Sequence, residues 1–381
     1  MPAGDFPVAE GYFVTSPLYN PAFSWYINQF TLIFRLPVGE RRFTDMTEKR
    51  KKKKGKSLFR IWWEYLLFSL LHRILRFLPL RWGYRISEAL LMLLFRWGRR
   101  YSERSIRHVL HSGIVADEAA AEKLARQAFI ESGKQLTEIS KSDQLFRQEK
   151  FLVNAPESTL DYILADRNPD HFDGLIIVSA HFGNWEISGT GITGLTGRRM
   201  TSLMRHFSNP KIGKIILRHR AAPMVTLADK RLGVRPLLRA LSRREIAIIL
   251  IDQHAVRNEG VVCEFFGHPA RVHVTPALLH LKTGIPILPE VTTRLPGDDY
   301  RFEMTAGELI RYTPTGDKER DVYTVTQMCI TALEKLIRRH PEQWLWAPRH
   351  WLDIDRGHDE EYANWKPPYP LPDAGDDANG D

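Results

Sequence analysis

The chain holds two cysteines, Cys263 and Cys329, in 381 residues. Neither belongs to a Cys-x-x-Cys pair or a Cys/His cluster. That speaks against a zinc ribbon and a disulfide scaffold, and suits a reducing compartment. Long apolar runs are also missing. In the most apolar region the longest uncharged run is 65–71, far short of the ~20 residues that span a bilayer. The opening "MPAGDFPVAEGYF" has no basic stretch leading into an apolar one, so it is no signal peptide. There is no Gly-x-Ser-x-Gly elbow and no His-Glu-x-x-His, which removes two common hydrolase chemistries. No nucleic-acid module is recognisable.

What is present is apolar and basic. Hydrophobic residues make up 43% and aromatics 11%, enough for a sizeable core. The formal net charge of +9 suggests anionic partners. Residues 1–45 show no periodicity, and "MTEKRKKKKGK" from Met46 reads as the biological start, with 1–56 a flexible leader carrying a basic run. Residues 57–100 place Leu, Phe and Trp at three- and four-residue spacing among Arg, His and Glu. This predicts two basic amphipathic helices broken at Pro79 and lying in a membrane interface. A polar-faced helix is expected over 117–140 and another over 322–340. Between them, short β-branched runs at 175–180, 199–204, 224–227, 246–251, 285–293 and 300–305 alternate with helical stretches. That alternation predicts an α/β domain over 101–355, its mostly parallel sheet covered by helices. The acidic, Gly-rich 356–381 reads as a flexible tail.

Chemistry is expected at "GLIIVSAHFGNWEISGTG", residues 174–191. In open α/β sheets, ligands bind at the carboxyl ends of strands, and His181 ends the most convincing one. On one continuous helix five residues rotate a side chain by about 140°, so Glu186 would point away from His181. A turn at Gly183 lets the next helix, capped by Asn184, fold back and bring the carboxylate to the imidazole. An imidazole so oriented is a general base. Asp252, at another strand end, faces the same cleft or caps a helix.

These residues resemble a family. "SAHFGNWE" is similar to the His-x4-Asp/Glu motif of the glycerolipid acyltransferases. "MRHFSNP" (204–210), "IAIILIDQH" (246–254), "CEFFGHPARVHVTPALL" (263–279), "TGIPILP" (283–289) and "HPEQWLWAPRHW" (340–351) follow in the order found in bacterial lipid A late acyltransferases. The resemblance covers roughly 57–353. It implies a glycerolipid-acyltransferase-like fold and transfer of an acyl chain from a thioester to a hydroxyl. His181 would be base and Glu186 its orienter. Arg205 would be oxyanion donor or phosphate anchor, with the Gly183–Asn184 backbone as second oxyanion donor. Asp252, Gln253, Phe265, Phe266, Gly267 and Thr275 would bind substrate. No metal or organic cofactor is implied. The donor would be acyl carrier protein, with acyl-coenzyme A as second choice, and Arg198, Arg199, Lys211 and Lys214 are candidates for docking it. The acceptor would be a phosphorylated glycolipid at the inner membrane's cytoplasmic face: a lipid A precursor, or another glycolipid such as a phosphatidylinositol mannoside. A catalytically inactive, membrane-tethered binding protein is the reading from another class.

Overall fold

A computed structural model describes residues 58–164, 172–204, 207–220, 224–297, 299–355, 362 and 364–370. The leader, the suspected start at Met46 and most of the acidic tail lie outside these. So does Arg205.

Among the described residues seven strands form one sheet in the order β1-β9-β8-β2-β5-β3-β4. They are β1 (Phe151–Asn154), β2 (Leu175–Ser179), β3 (Met200–Met204), β4 (Val225–Asp229), β5 (Ile246–Leu250), β8 (Ile287–Arg294) and β9 (Phe302–Ala306). All neighbours run parallel except β8 and β9. The sheet is therefore the mostly parallel, mixed one expected. Buried on both faces, β2 is apolar throughout rather than alternating. Ile176 and Val178 point into one core, Leu175 and Ile177 into the other. The two remaining strands, β6 (Gly260–Phe265) and β7 (His268–His273), pair as a separate antiparallel hairpin.

The first core lies under α9 (Thr275–Thr283), α10 (Lys318–Ile337) and an N-terminal layer. That layer holds α1 (Leu58–Phe77), α2 (Leu80–Trp97), α3 (Arg99–His111) and α4 (Glu118–Leu145). The second core lies under α5 (Glu157–Ile163) and α6 (Trp185–Thr196). The break between α1 and α2 falls at Pro79 as expected, because proline supplies no N–H to continue a helix. The remaining helices are α7 (Pro210–Arg220), α8 (Arg235–Ser242) and α11 (Leu352–Asp355). Among the described residues no helix is long and apolar enough to cross a membrane.

Beneath the first turns of α6 lies a buried carboxyl, Glu290 of β8. It accepts from the Ser188 hydroxyl at 3.0 Å. Burial pushes its pKa up to about 7, only partly offset by the hydroxyls of Ser179, Ser188 and Thr292. Below its ordinary value of 4.5 it is protonated in both folded and unfolded chains. From there to about 7 the unfolded chain releases the proton while the folded one keeps it, so stability falls as pH rises. The full loss is about 3 kcal/mol. Glu290→Gln should remove this slope, gaining stability at pH 8 but little at pH 4, as read by denaturant unfolding at both.

Candidate functional site

Two strand ends build the site. The parallel register pairs Ser179 of β2 with Leu250 of β5. His181 and Asp252 each lie two residues beyond that pair, so the register sets them side by side. His181 Nδ1 lies 2.8 Å from Asp252 Oδ1, and the His181 backbone N–H donates to Asp252 Oδ2 at 3.0 Å. The Trp344 indole N–H donates to the same Oδ2 at 3.0 Å. The Asp252 carbonyl accepts from His350 Nδ1 at 2.9 Å.

Asp252 is buried. Burial alone would raise its pKa, but the neighbouring His181 and the hydrogen bonds it donates win, holding the carboxyl below its ordinary value. An ionised carboxylate only accepts, so the proton of His181 sits on Nδ1. Nε2 is then left as a lone pair, which is the form a general base needs.

The carboxylate that orients His181 is thus Asp252, not Glu186. Glu186 lies in the first turn of α6 and lines the cavity beside His181. Among the described residues no hydrogen bond joins the two. The turn at Gly183 does form, with φ +51, and a Cβ there would lie 2.0 Å from the Thr292 carbonyl oxygen. Its direction differs from the expectation: it hands the chain to α6 without folding Glu186 back onto the imidazole. Asn184 caps α6 by accepting from the Ile187 N–H at 3.3 Å.

The backbone oxyanion donors expected at Gly183 and Asn184 are already used. Gly183 N–H donates to the Gln343 carbonyl at 2.9 Å, and Asn184 N–H to the Thr292 carbonyl at 3.2 Å. Neither residue lines the cavity.

The cavity has a volume of about 250 Å³ and runs from His181 along the sheet face under α6. Met200, Met204, Leu227, Ile248 and Leu250 are among the apolar side chains along it. Gln253 and Thr275 line it as well. The amide Nε2 of Gln253 is buried and lacks a hydrogen-bond partner among the described residues.

Phe265, Phe266 and Gly267 stand elsewhere. The two phenylalanines are buried against Trp344, Trp346 and Trp351, because a pair this apolar gains most in the core. Gly267 forms the exposed turn between β6 and β7 with φ +77. The suggested docking cations also divide. Arg198 and Arg199 precede β3, at the amino end of the sheet opposite His181. The Lys211 ammonium sits 3.6 Å from the centre of the Trp62 ring.

Reading the sequence missed the roles of Trp344 and His350, although both lie in the quoted C-terminal block. An indole and an imidazole in a run with no helical or strand period were the available signal.

Similarity points the same way as the geometry. The phosphatidylinositol mannoside acyltransferase of Mycobacterium tuberculosis (strain ATCC 25618 / H37Rv) is 24% identical over 193 residues, 48% of this chain and 58% of that protein. Its namesake from Mycolicibacterium smegmatis is 22% identical over 182 residues, 47% of this chain and 57% of that protein. The chain therefore spans little more than half the length of these relatives. A family model described as bacterial lipid A biosynthesis acyltransferase matches residues 49–353. With most of its length so matched, this chain belongs to the bacterial lipid A biosynthesis acyltransferase family.

Proposed function

We propose that the protein transfers a fatty acyl chain from a thioester, carried by acyl carrier protein, to a hydroxyl of a lipid A precursor. The observation that carries this reading is the His181–Asp252 pair at the end of a cavity with an apolar wall. His181 Nε2 takes the proton of the acceptor hydroxyl as its oxygen attacks the thioester carbon. The tetrahedral intermediate collapses, the C–S bond breaks, and the same proton passes to the departing thiolate. Asp252 stays ionised and steadies the imidazolium between the two steps. The buried amide of Gln253 is the oxyanion donor closest to hand. Arg205, outside the described residues, remains the other candidate donor. The apolar strand face under α6 receives the acyl chain.

The N-terminal helices support an interfacial location, on the cytoplasmic face of the inner membrane. Phe59, Trp62, Trp63 and Phe77 on α1 are 79%, 49%, 52% and 81% exposed, and such exposed apolar surface marks an interaction site. α1 packs through Tyr65 and Phe68 onto Ile212 and Ile216 of α7 and onto Phe207. Phe207 also lines the cavity. A lipid in the plane where α1 rests thus has a short path to His181. Replacing Phe59, Trp62 and Trp63 together by serine should lower partitioning onto phospholipid vesicles on the order of 100-fold, about 3 kcal/mol. Flotation with zwitterionic and anionic vesicles measures it. Unchanged partitioning would remove α1 as the anchor.

The names of the relatives favour a second acceptor, a phosphatidylinositol mannoside. Purified protein given acyl carrier protein thioester, or acyl-coenzyme A, with each acceptor in turn separates the readings by mass spectrometry. The leading one requires one added acyl chain on the lipid A precursor, absent with His181→Ala. Transfer to the mannoside alone moves the assignment to the second reading. No transfer to either would support the binding-protein reading.

A further inference from the structure

We propose that His111, His268 and Asp353 form a binding site for one divalent transition-metal ion of the zinc class. The resemblance implied no metal, and the three residues stand far apart in the chain, at the end of α3, the start of β7 and in α11. The fold brings them together. His111 Nε2 lies 3.1 Å from Asp353 Oδ1 and 3.0 Å from Oδ2. His268 Nδ1 lies 3.0 Å from Oδ2. One ligand atom from each of the three falls within 4.8 Å of the other two. Around a tetrahedral ion with bonds of about 2.0–2.2 Å, ligand atoms lie roughly 3.3–3.6 Å apart. At the two carboxylate edges an ion needs shifts of a few tenths of an ångström, and the two ring nitrogens, within 4.8 Å of each other, close onto it by rotation of the rings.

The chemistry of the donors narrows the ion. Two imidazoles and one carboxylate suit zinc, cobalt or nickel, whereas magnesium and calcium require oxygen ligands. Asp353 offers both carboxylate oxygens to the two rings. The two imidazole rings stack with centroids 3.5 Å apart.

The three side chains are only partly exposed, at 18%, 31% and 16%, so water can reach the open side and complete the coordination. Trp351 stands edge-on behind both rings, and its N–H is held by the Phe265 carbonyl at 2.7 Å. That gives the site an apolar, fixed back wall of the kind that tunes bound metal. None of the three residues lines the catalytic cavity. The ion's role is a staple, fastening α11 and the β6–β7 hairpin to α3.

The test uses untagged full-length protein stripped with a chelator and titrated with zinc sulfate by calorimetry. Cobalt is added in a parallel sample for its visible d–d absorption. The proposal requires one saturable ion per chain, a rise in Tm with zinc, and a low-coordinate cobalt spectrum. His268→Gln and Asp353→Asn, each confirmed folded by circular dichroism, should weaken binding at least about tenfold and abolish the cobalt bands. Absence of saturable binding in the wild-type protein overturns the proposal. So does binding that both variants leave unchanged, which would place the ion on other histidines.

Discussion

Asp252→Asn should lower kcat roughly 10³- to 10⁴-fold, with KM for the acyl donor little altered and the fold intact. The asparagine keeps the size of the side chain and can still accept at one oxygen. It also presents an NH₂ group, which forces His181 to accept at Nδ1 and carry its proton on Nε2. The base is then capped by the proton it should be taking, and a wrong tautomer of this kind costs about four orders of magnitude where it has been measured. Because Asp252 is held below the ordinary carboxylate range, it stays ionised across the working pH. The acid limb of the kcat profile should therefore carry no contribution from Asp252. Glu186→Gln should cost far less, since Glu186 lines the cavity without bonding to the imidazole. Steady-state kinetics across pH on both variants decide the matter. An Asp252→Asn enzyme with more than about a tenth of wild-type turnover, beside an inactive Glu186→Gln enzyme, would restore Glu186 as the orienting group.

The second large effect lies behind α6. Glu138 of α4 binds the buried Arg294 guanidinium through both carboxylate oxygens, one contact being Arg294 Nη2 to Oε2 at 2.7 Å. It also accepts from the Tyr84 hydroxyl at 2.9 Å and from Asn184 Nδ2 at 2.9 Å. Asn184 caps the helix that carries Glu186 and opens the catalytic loop. Glu138→Ala should destabilise the protein by about 3–5 kcal/mol, because it strands a buried guanidinium that Glu131 only partly satisfies. Denaturant unfolding measures it. The double variant Glu138→Ala with Arg294→Met should recover much of the loss, which separates a stranded charge from a simple packing defect.

The sheet was legible because its strands are continuous, β-branched and bounded by polar turns. Each of the six runs read as strands overlaps one in the sheet. The hairpin was not, since Glu264, His268 and Arg271 interrupt β6 and β7 and hide their period. β1 is only four residues long and takes its place by pairing with β9, some 150 residues away. The site was legible in its centre and illegible in its partnership. His181 announces itself by ending an apolar strand, but Glu186 was chosen for its nearness along the chain. Asp252 reaches the imidazole from 71 residues away. Two apolar runs ending in "SAH" and "LID" carry the clue only once their parallel register is known. The same applies to His111 and Asp353, 242 residues apart.

One stretch after α10 grips the catalytic loop from several sides. Gln343 and Leu345 bond to the backbone of Gly183 and His181, Phe182 bridges to Trp344, and Trp344 and His350 hold Asp252. On the ribosome, then, the residues that hold this pair are made last. The histidine and its aspartate emerge early, without the indole and imidazole that fix them. A nascent chain released before residue 343 would carry the base and the apolar groove but not the clamp that aligns them.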